Sequence, residues 1–394
     1  MKGTAIFYRG IFYRGIICVA AMVGLSVTFS TSRVSAEGDW EITPQSEDAL
    51  ERGLQWLAAN QGAEGNWESN DLGLVSMGAL AFLSAGHSPG HGKYGPVVEK
   101  ALGYVIRNAK PSGLLNISDQ QRDMYNHGLS TFVLGQAYGV TNDQRLNQVL
   151  DRALKLIFQA QCRDGGWDYR VTPQNPDVGH DLSLAVMQAK ALRSAVDSGL
   201  EVPPEVLQTA IKSVREHYWP ANGRHQTDAE AREGAGQFTY SRGGGQGTLA
   251  MAAAGVVCMQ EFGQYDDWRI PKNMDVIKRN VLQKKNEKFT NNGHMPFDAY
   301  TLYYVGQALY QVGGQDWQDC YPVLRDALVA GQMREPADAR RNGMWEGEKI
   351  GGKPGELYGT SVACFILAMP NRYLPILQEG KIDSLKGKFK EAKE

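Results

Sequence analysis

The stretch Arg52-Gly53-Leu54-Gln55-Trp56-Leu57-Ala58-Ala59-Asn60-Gln61-Gly62-Ala63-Glu64-Gly65-Asn66-Trp67 decides the fold, because its pattern returns from Arg152 to Trp167. In each copy an apolar helical run ends in a Gln, three residues pass, and a Gly-x-Trp turn follows: Gln61 with Gly65 and Trp67, then Gln161 with Gly165 and Trp167. Glycine lets the chain reverse after a helix, and tryptophan offers a large flat face to cover the helix end. The Gln amide can satisfy the backbone groups left unpaired there and lay its plane against the indole. Two such turns with matched offsets, each followed by an apolar helix of small residues, indicate an internal repeat.

Working outward, an amphipathic run from about Glu47 to Asn60 precedes the first turn, and a run from Leu72 to Ala85 that is apolar nearly all round follows it. A helix with a charged face belongs outside and one without belongs inside. The same alternation returns along the chain. Outer helices are predicted to begin near Val97, Gln148, Pro204, Met274 and Tyr321, and their inner partners near Tyr125, Asp181, Gly247, Tyr300 and Tyr358. With the first pair this makes six helical hairpins. The inner runs are rich in small residues, as in Leu249-Ala250-Met251-Ala252-Ala253-Ala254-Gly255, which lets them approach closely around a tight ring. No valine- or isoleucine-rich alternating run lies between turn residues, so strands are not expected. The last hairpin, Leu357 to Met369, is as apolar as the middle ones, so an open solenoid with a polar cap is disfavoured and closure into an all-α (α/α)6 toroid is predicted.

The 394 residues are 42% hydrophobic and 21% charged, a composition that supports a large globular core. Lys2, Arg9 and Arg14 precede an apolar run from Ile16 to Phe29, and Val34-Ser35-Ala36 supplies small residues of the kind a signal peptidase reads. Residues 1–36 therefore read as a secretory signal, with an uncleaved membrane anchor as the alternative, residues 47–376 as the toroid, and residues 377–394 as a lysine-rich charged tail. The mature protein is expected to be exported, to the periplasm or the extracellular space. Lys2, Arg9, Arg14 and Arg33 leave with the signal, taking the net charge from −2 to −6. A mildly acidic body argues against nucleic acid as a partner. Cys162, Cys258, Cys320 and Cys364 are far apart and form no Cys-x-x-Cys pair; Cys258 and Cys364 read as core fillers, and a disulfide between any two remains open. His87 and His91 sit in a loop of Gly and Pro and read as solvated.

Arg52-Gly53-x-x-Trp56-Leu57-x-x-x-Gln61-x-x-x-Gly65-x-Trp67 resembles the QW repeat of squalene and hopene cyclases, and Arg152 to Trp167 fits it nearly as well. A degenerate third copy sets Gln332 with Gly343 and Trp345, stretched by an insertion. The resemblance covers about residues 47–376. It implies the α/α toroid shared with protein prenyltransferase β subunits, with a central cavity lined by the inner helices. The chemical signatures of those families are absent. No Asp-x-Asp-Asp acid motif occurs, and Asp266-Asp267 is an isolated loop pair. The stretches that resemble the prenyltransferase zinc ligands read Phe297-Asp298-Ala299-Tyr300 and Tyr358-Gly359-Thr360, without the Cys and His. The segment Gly243-Gly244-Gly245-Gln246-Gly247 lacks the cysteine of the complement-type thioester. No metal and no cofactor are therefore expected.

What remains are polar residues at the starts of the inner helices, which a closed ring gathers at one cavity mouth. Candidate catalytic groups are His127, His180, Asp181 and Asp298; candidate ligand-binding groups are Asp71, Tyr125, Tyr240, Arg242, Gln246, Tyr300 and Tyr358. Each has a plainer reading: Asp71 and Asp181 are natural N-caps, worth about 1 kcal/mol each, and the Tyr and His side chains can satisfy backbone groups. Trp167, Asp168 and Tyr169 join the rim only if their turn folds inward. Six helix N-termini at one mouth favour anionic or strongly hydrogen-bonding ligand groups, and His127 and His180 are expected to respond to pH between about 5 and 8. Two functions follow: a catalytically silent toroid that binds an apolar, anionic or glycan ligand, with possible membrane or envelope association, or an exported cyclase-like or polysaccharide lyase-like enzyme using Asp or His at the mouth. Oligomeric state is not encoded in these features.

Overall fold

A computed structural model describes residues 40–171, 179, 181–221, 223, 227–245, 247–347 and 355–378. The signal segment at 1–36, nearly all of the lysine-rich tail, His180 and Gln246 lie outside the described residues. Six hairpins are present. The outer helices are α1 (Pro44–Ala59), α3 (Gly95–Arg107), α5 (Gln144–Ala160), α7 (Pro204–Arg215), α10 (Arg269–Gln283) and α12 (Gly314–Gly331). The inner helices are α2 (Leu72–Ser84), α4 (Asp123–Thr141), α6 (Leu182–Asp197), α9 (Leu249–Glu261), α11 (Ala299–Val312) and α13 (Gly355–Ala368). A short helix α8 (Asp228–Glu233) interrupts the fourth hairpin.

Inner helices pack in chain order, α2 on α4, α4 on α6, α6 on α9, α9 on α11 and α11 on α13, and α13 returns to α2. The ring is closed, as the apolar last hairpin implied. Every residue of α2 except Leu74 is buried, whereas α5 buries one stripe and exposes the other, which is the inner and outer pattern of hydrophobicity made physical. Small residues set the spacing: a Cβ added at Gly306 of α11 would lie 2.1 Å from Ile366 Cδ1 of α13.

The three Gln–Gly–Trp turns share one hydrogen-bond scheme. Gln61 Nε2 donates to Gly65 O (3.1 Å) and to Val97 O of the next outer helix (2.9 Å), while Trp67 Nε1 donates to Leu57 O (2.7 Å). Gln161 repeats this with Gly165 O and Val206 O, and Trp167 with Ile157 O. The stretched third copy does the same: Gln332 Nε2 reaches Gly343 O and Ala49 O, and Trp345 Nε1 reaches Leu328 O. Each Gln thus ties its own turn to an outer helix further on, and the third copy ties the last hairpin to the first. Closure is reinforced by Arg52 Nε donating to Gln332 Oε1 (2.9 Å) and Trp56 Nε1 donating to Arg340 O (2.6 Å). Gly65, Gly165 and Gly343 all have φ near +90 to +100°, and an added Cβ would meet a carbonyl oxygen of the neighbouring outer helix at 2.2, 2.1 and 2.6 Å.

One feature departs from the sequence expectation. Tyr218–Pro220 (β1) pairs antiparallel with Gly236–Phe238 (β2), in register Tyr218 with Phe238. Three-residue strands are too short to produce a readable alternation. All four described cysteines are free and buried.

The end of the ring opposite the inner-helix starts is plugged. Residues 369–378 cross it, with Ile376 N donating to Gln136 Oε1 (3.0 Å) and Tyr310 Oη donating to Leu377 O (2.6 Å). Inside this cover, Lys190 of α6 is fully buried, 3.7 Å from Glu261 of α9, with its ammonium 4.2 Å from the Phe132 ring centroid. Burial lowers the Lys190 pKa to about 8 against the opposing pull of Glu261. Among the described residues, no helix is long and apolar enough to cross a membrane.

Candidate functional site

The open end of the ring holds a cavity of about 610 Å³. Part of its wall is aliphatic, made by Leu74 of α2, Leu129 of α4, Met187 of α6 and Ala250 with Met251 of α9. The rest is largely aromatic: Tyr125, Tyr169, Tyr240, Tyr300 and Tyr358 come from five different segments of chain. Asp71, Asp119 and Arg122 lie at its edge, with Arg122 Nη1 3.9 Å from Asp71 Oδ2. Five of the sequence-derived ligand-binding candidates, Asp71, Tyr125, Tyr240, Tyr300 and Tyr358, therefore line one cavity.

The hydroxyls of Tyr125, Tyr169 and Tyr240 are engaged with one another and with α6. Tyr169 Oη donates to Asp181 Oδ2 and also contacts Tyr240 Oη; Ser183 Oγ donates to Asp181 Oδ1 and contacts Tyr125 Oη. Asp181 is itself buried, and its Oδ1 accepts from Leu184 N at 3.2 Å as the N-cap of α6. Burial first, and then the nearby Asp181 charge, pushes the Tyr125 phenol well above the ordinary range; Tyr169 moves the same way through burial and its bond to Asp181. Tyr300 and Tyr358 are raised mainly by burial. All of these rings are neutral near pH 7. The cavity consequently presents mainly ring carbon and aliphatic carbon, with the hydroxyls of Tyr125, Tyr169 and Tyr240 already paired.

Three expectations need correction. His127 does not face the mouth. It lies two residues beyond Tyr125 on α4, a rotation of about 200°, which turns it away from the cavity toward α5. There its Nδ1 accepts from Leu115 N (3.1 Å) and its Nε2 donates to Ala153 O (3.0 Å), and burial lowers its pKa to about 4, below the window in which it was expected to titrate. Arg242 turns away as well: its guanidinium pairs with Asp164 of the second Gln–Gly–Trp turn and donates to Ser213 Oγ at 2.7 Å. Its role is to pin the segment before α9 onto that turn. Third, four of the six inner-helix N-termini are already occupied by a side-chain cap, while α4 has none. Asp71, Asp181, Thr248 and Asp298 each accept from a backbone N–H in the first turn of α2, α6, α9 and α11, respectively. Asp298 is spent on that cap, accepting from Thr301 N at 2.9 Å, and is not among the residues that line the cavity.

Tyr169 joins the rim because its turn folds inward, Trp167 being buried beneath it. Asp119, Gln121 and Arg122 were not singled out from the sequence; they precede α4 in a short 3-10 turn, and their only signal was position just before an inner helix. Among the described residues, no group of three or more His, Cys, Asp and Glu is placed to hold a metal ion.

No family model matches the chain, and no curated protein matches it. Solved structures do. The GH76A α-1,6-mannanase of Salegentibacter sp. aligns with a TM-score of 0.52 at 13% identity, over 84% of this chain and 98% of that one. The type II terpene cyclase MstE of Scytonema, solved with its substrate geranylgeranyl dihydroxybenzoate, aligns with a TM-score of 0.52 at 11% identity, over 84% of this chain and 98% of that one. At such identities the likeness is one of fold, and the chain is an all-α toroid of the architecture these two enzymes share.

Proposed function

We propose that this protein is an exported ligand-binding toroid that holds an apolar or amphipathic molecule in its central cavity without the usual catalysis of the cyclases and prenyltransferases it resembles. One observation carries this reading. A blind cavity of about 610 Å³ is walled by aliphatic and aromatic carbon, while the carboxylates around it are committed to helix caps and tyrosine hydroxyls. Pockets of a few hundred cubic ångströms with apolar walls and a few polar groups at one end are the usual form of small-molecule sites. The absence of the cyclase acid motif and of the zinc-ligand Cys and His at Ala299 and Gly359 argues against inherited chemistry.

A second reading, a cyclase-like or lyase-like enzyme, draws on the contacts from Asp181 through Tyr169 to Tyr240, which could carry a proton to the cavity. Titration with octyl glucoside below its micelle concentration separates binding from its absence. Saturable binding to the parent and its loss in Leu74→Trp, with thermal stability retained, is the expected result. Equal binding to both proteins would place the ligand elsewhere, and turnover of an isoprenoid or acidic glycan would favour the enzyme.

A further inference from the structure

The chemistry of the cavity mouth discriminates between ligand head groups. Tyr125, Tyr169 and Tyr240 spend their hydroxyls on Asp181, Ser183 and each other, so their rings, not their O–H groups, are what a ligand meets. The Tyr125 and Tyr169 rings stand 5.8 Å apart, tilted at 49°. Hydrogen bonds from Tyr169 to the Asp181 carboxylate enrich that ring in electron density. Arg122 is the only basic residue among the described lining residues, and it faces Asp71, whereas Asp71, Asp119 and, bonded to the Tyr169 hydroxyl, Asp181 supply negative charge. Electron-rich rings beside carboxylates attract a poorly hydrated cation and repel an anion.

Building on the cavity reading above, we infer that the bound molecule is an amphiphile with a cationic head, a quaternary or protonated amine held by the tyrosine rings near Asp181, with its apolar part extending to Leu129 and Met187. A glycan head would gain little from the hydroxyls of Tyr125, Tyr169 and Tyr240, which are already engaged, and an anionic head would meet two or more carboxylates against the single guanidinium of Arg122.

Three probes of equal chain length test this: octyltrimethylammonium, octyl glucoside and octyl sulfate, each titrated calorimetrically below its micelle concentration. The ammonium probe should bind about tenfold more tightly than the sulfate, a ratio that one or two ring contacts supply. Tyr169→Phe should keep most of that preference, losing only the share due to the bond with Asp181, and Tyr169→Leu should lose most of it. Asp181→Asn, which retains the helix cap, should weaken the ammonium probe several-fold and leave the glucoside unchanged. Sulfate or glucoside binding as tightly as ammonium would overturn the head-group assignment while leaving the cavity reading intact. Equal losses in Tyr169→Phe and Tyr169→Leu would overturn it too, by assigning recognition to the hydroxyl. If none of the three probes binds, the cavity reading falls and the head-group assignment with it.

Discussion

Trp67 and Trp167 are buried with their indole N–H groups bonded to the carbonyl four residues before the turn's Gln. Replacing either by Ala removes a large buried ring that the surrounding helices cannot fill, and should cost about 3 kcal/mol in chemical denaturation. A loss below about 0.5 kcal/mol would mean that the turn is not a structural unit. The two buried histidines have a different signature. Burial lowers both His127 and His217 to about 4, so between about pH 6.5 and pH 4 the unfolded chain binds protons that the folded chain refuses. Stability should fall as pH drops through that window, and His127→Gln should make the fall shallower without altering ligand affinity at pH 7. An unchanged slope would return His127 to the solvent-accessible rim. At this scale the sequence was readable in part. Tyr125 and His127 look equivalent by position, and only the helical rotation between them separates a cavity residue from a core one. Arg242 could not be placed, because its partner Asp164 is distant in sequence and belongs to a different hairpin.

Among the elements, α6 carries the most constraint, with Asp181 and Ser183 at the cavity end and Lys190 and Arg193 at the plugged end. The Lys190–Glu261 pair joins α6 to α9 in a fully buried setting, where removing one partner leaves an uncompensated charge. Lys190→Met alone should therefore destabilise by about 3–5 kcal/mol, whereas Lys190→Met combined with Glu261→Met should restore most of the loss. Additive losses in that cycle would show that the two side chains do not act as a pair. Because the folded Lys190 pKa is lowered to about 8 from 10.5, its contribution favours the folded state increasingly as pH rises between those values. The inner helices were legible because runs such as α2, α9 and α13 are rich in small apolar residues on nearly every face and recur at similar spacings along the chain. The β1–β2 pair was not, since strands of three residues leave no period to detect.

On the scale of the whole molecule, the ring is closed by contacts between residues nearly 300 positions apart, such as Gln332 Nε2 to Ala49 O and α13 against α2. Removing α13 and the segment after it would uncover the apolar faces of α1 and α2 and unplug the far end. A chain ending before Gly355 should lose its cooperative unfolding transition, and one that kept a single sharp transition would argue for an open array. The six-hairpin count, the closure and the gathering of inner-helix starts at one mouth all followed from the repeat and the apolar last helix. The blindness of the cavity did not, because it depends on residues 369–378 folding back across the ring, for which the sequence carries no periodic signal. We propose that this one-ended cavity is where the protein takes its ligand. The most direct measurement is anomalous diffraction from crystals soaked in an alkyltrimethylammonium probe brominated at its chain terminus. One bromine peak against Leu129 and Met187 is expected, with none in the Leu74→Trp variant; a peak only on the outer helices, or none in the parent, would contradict binding in the cavity.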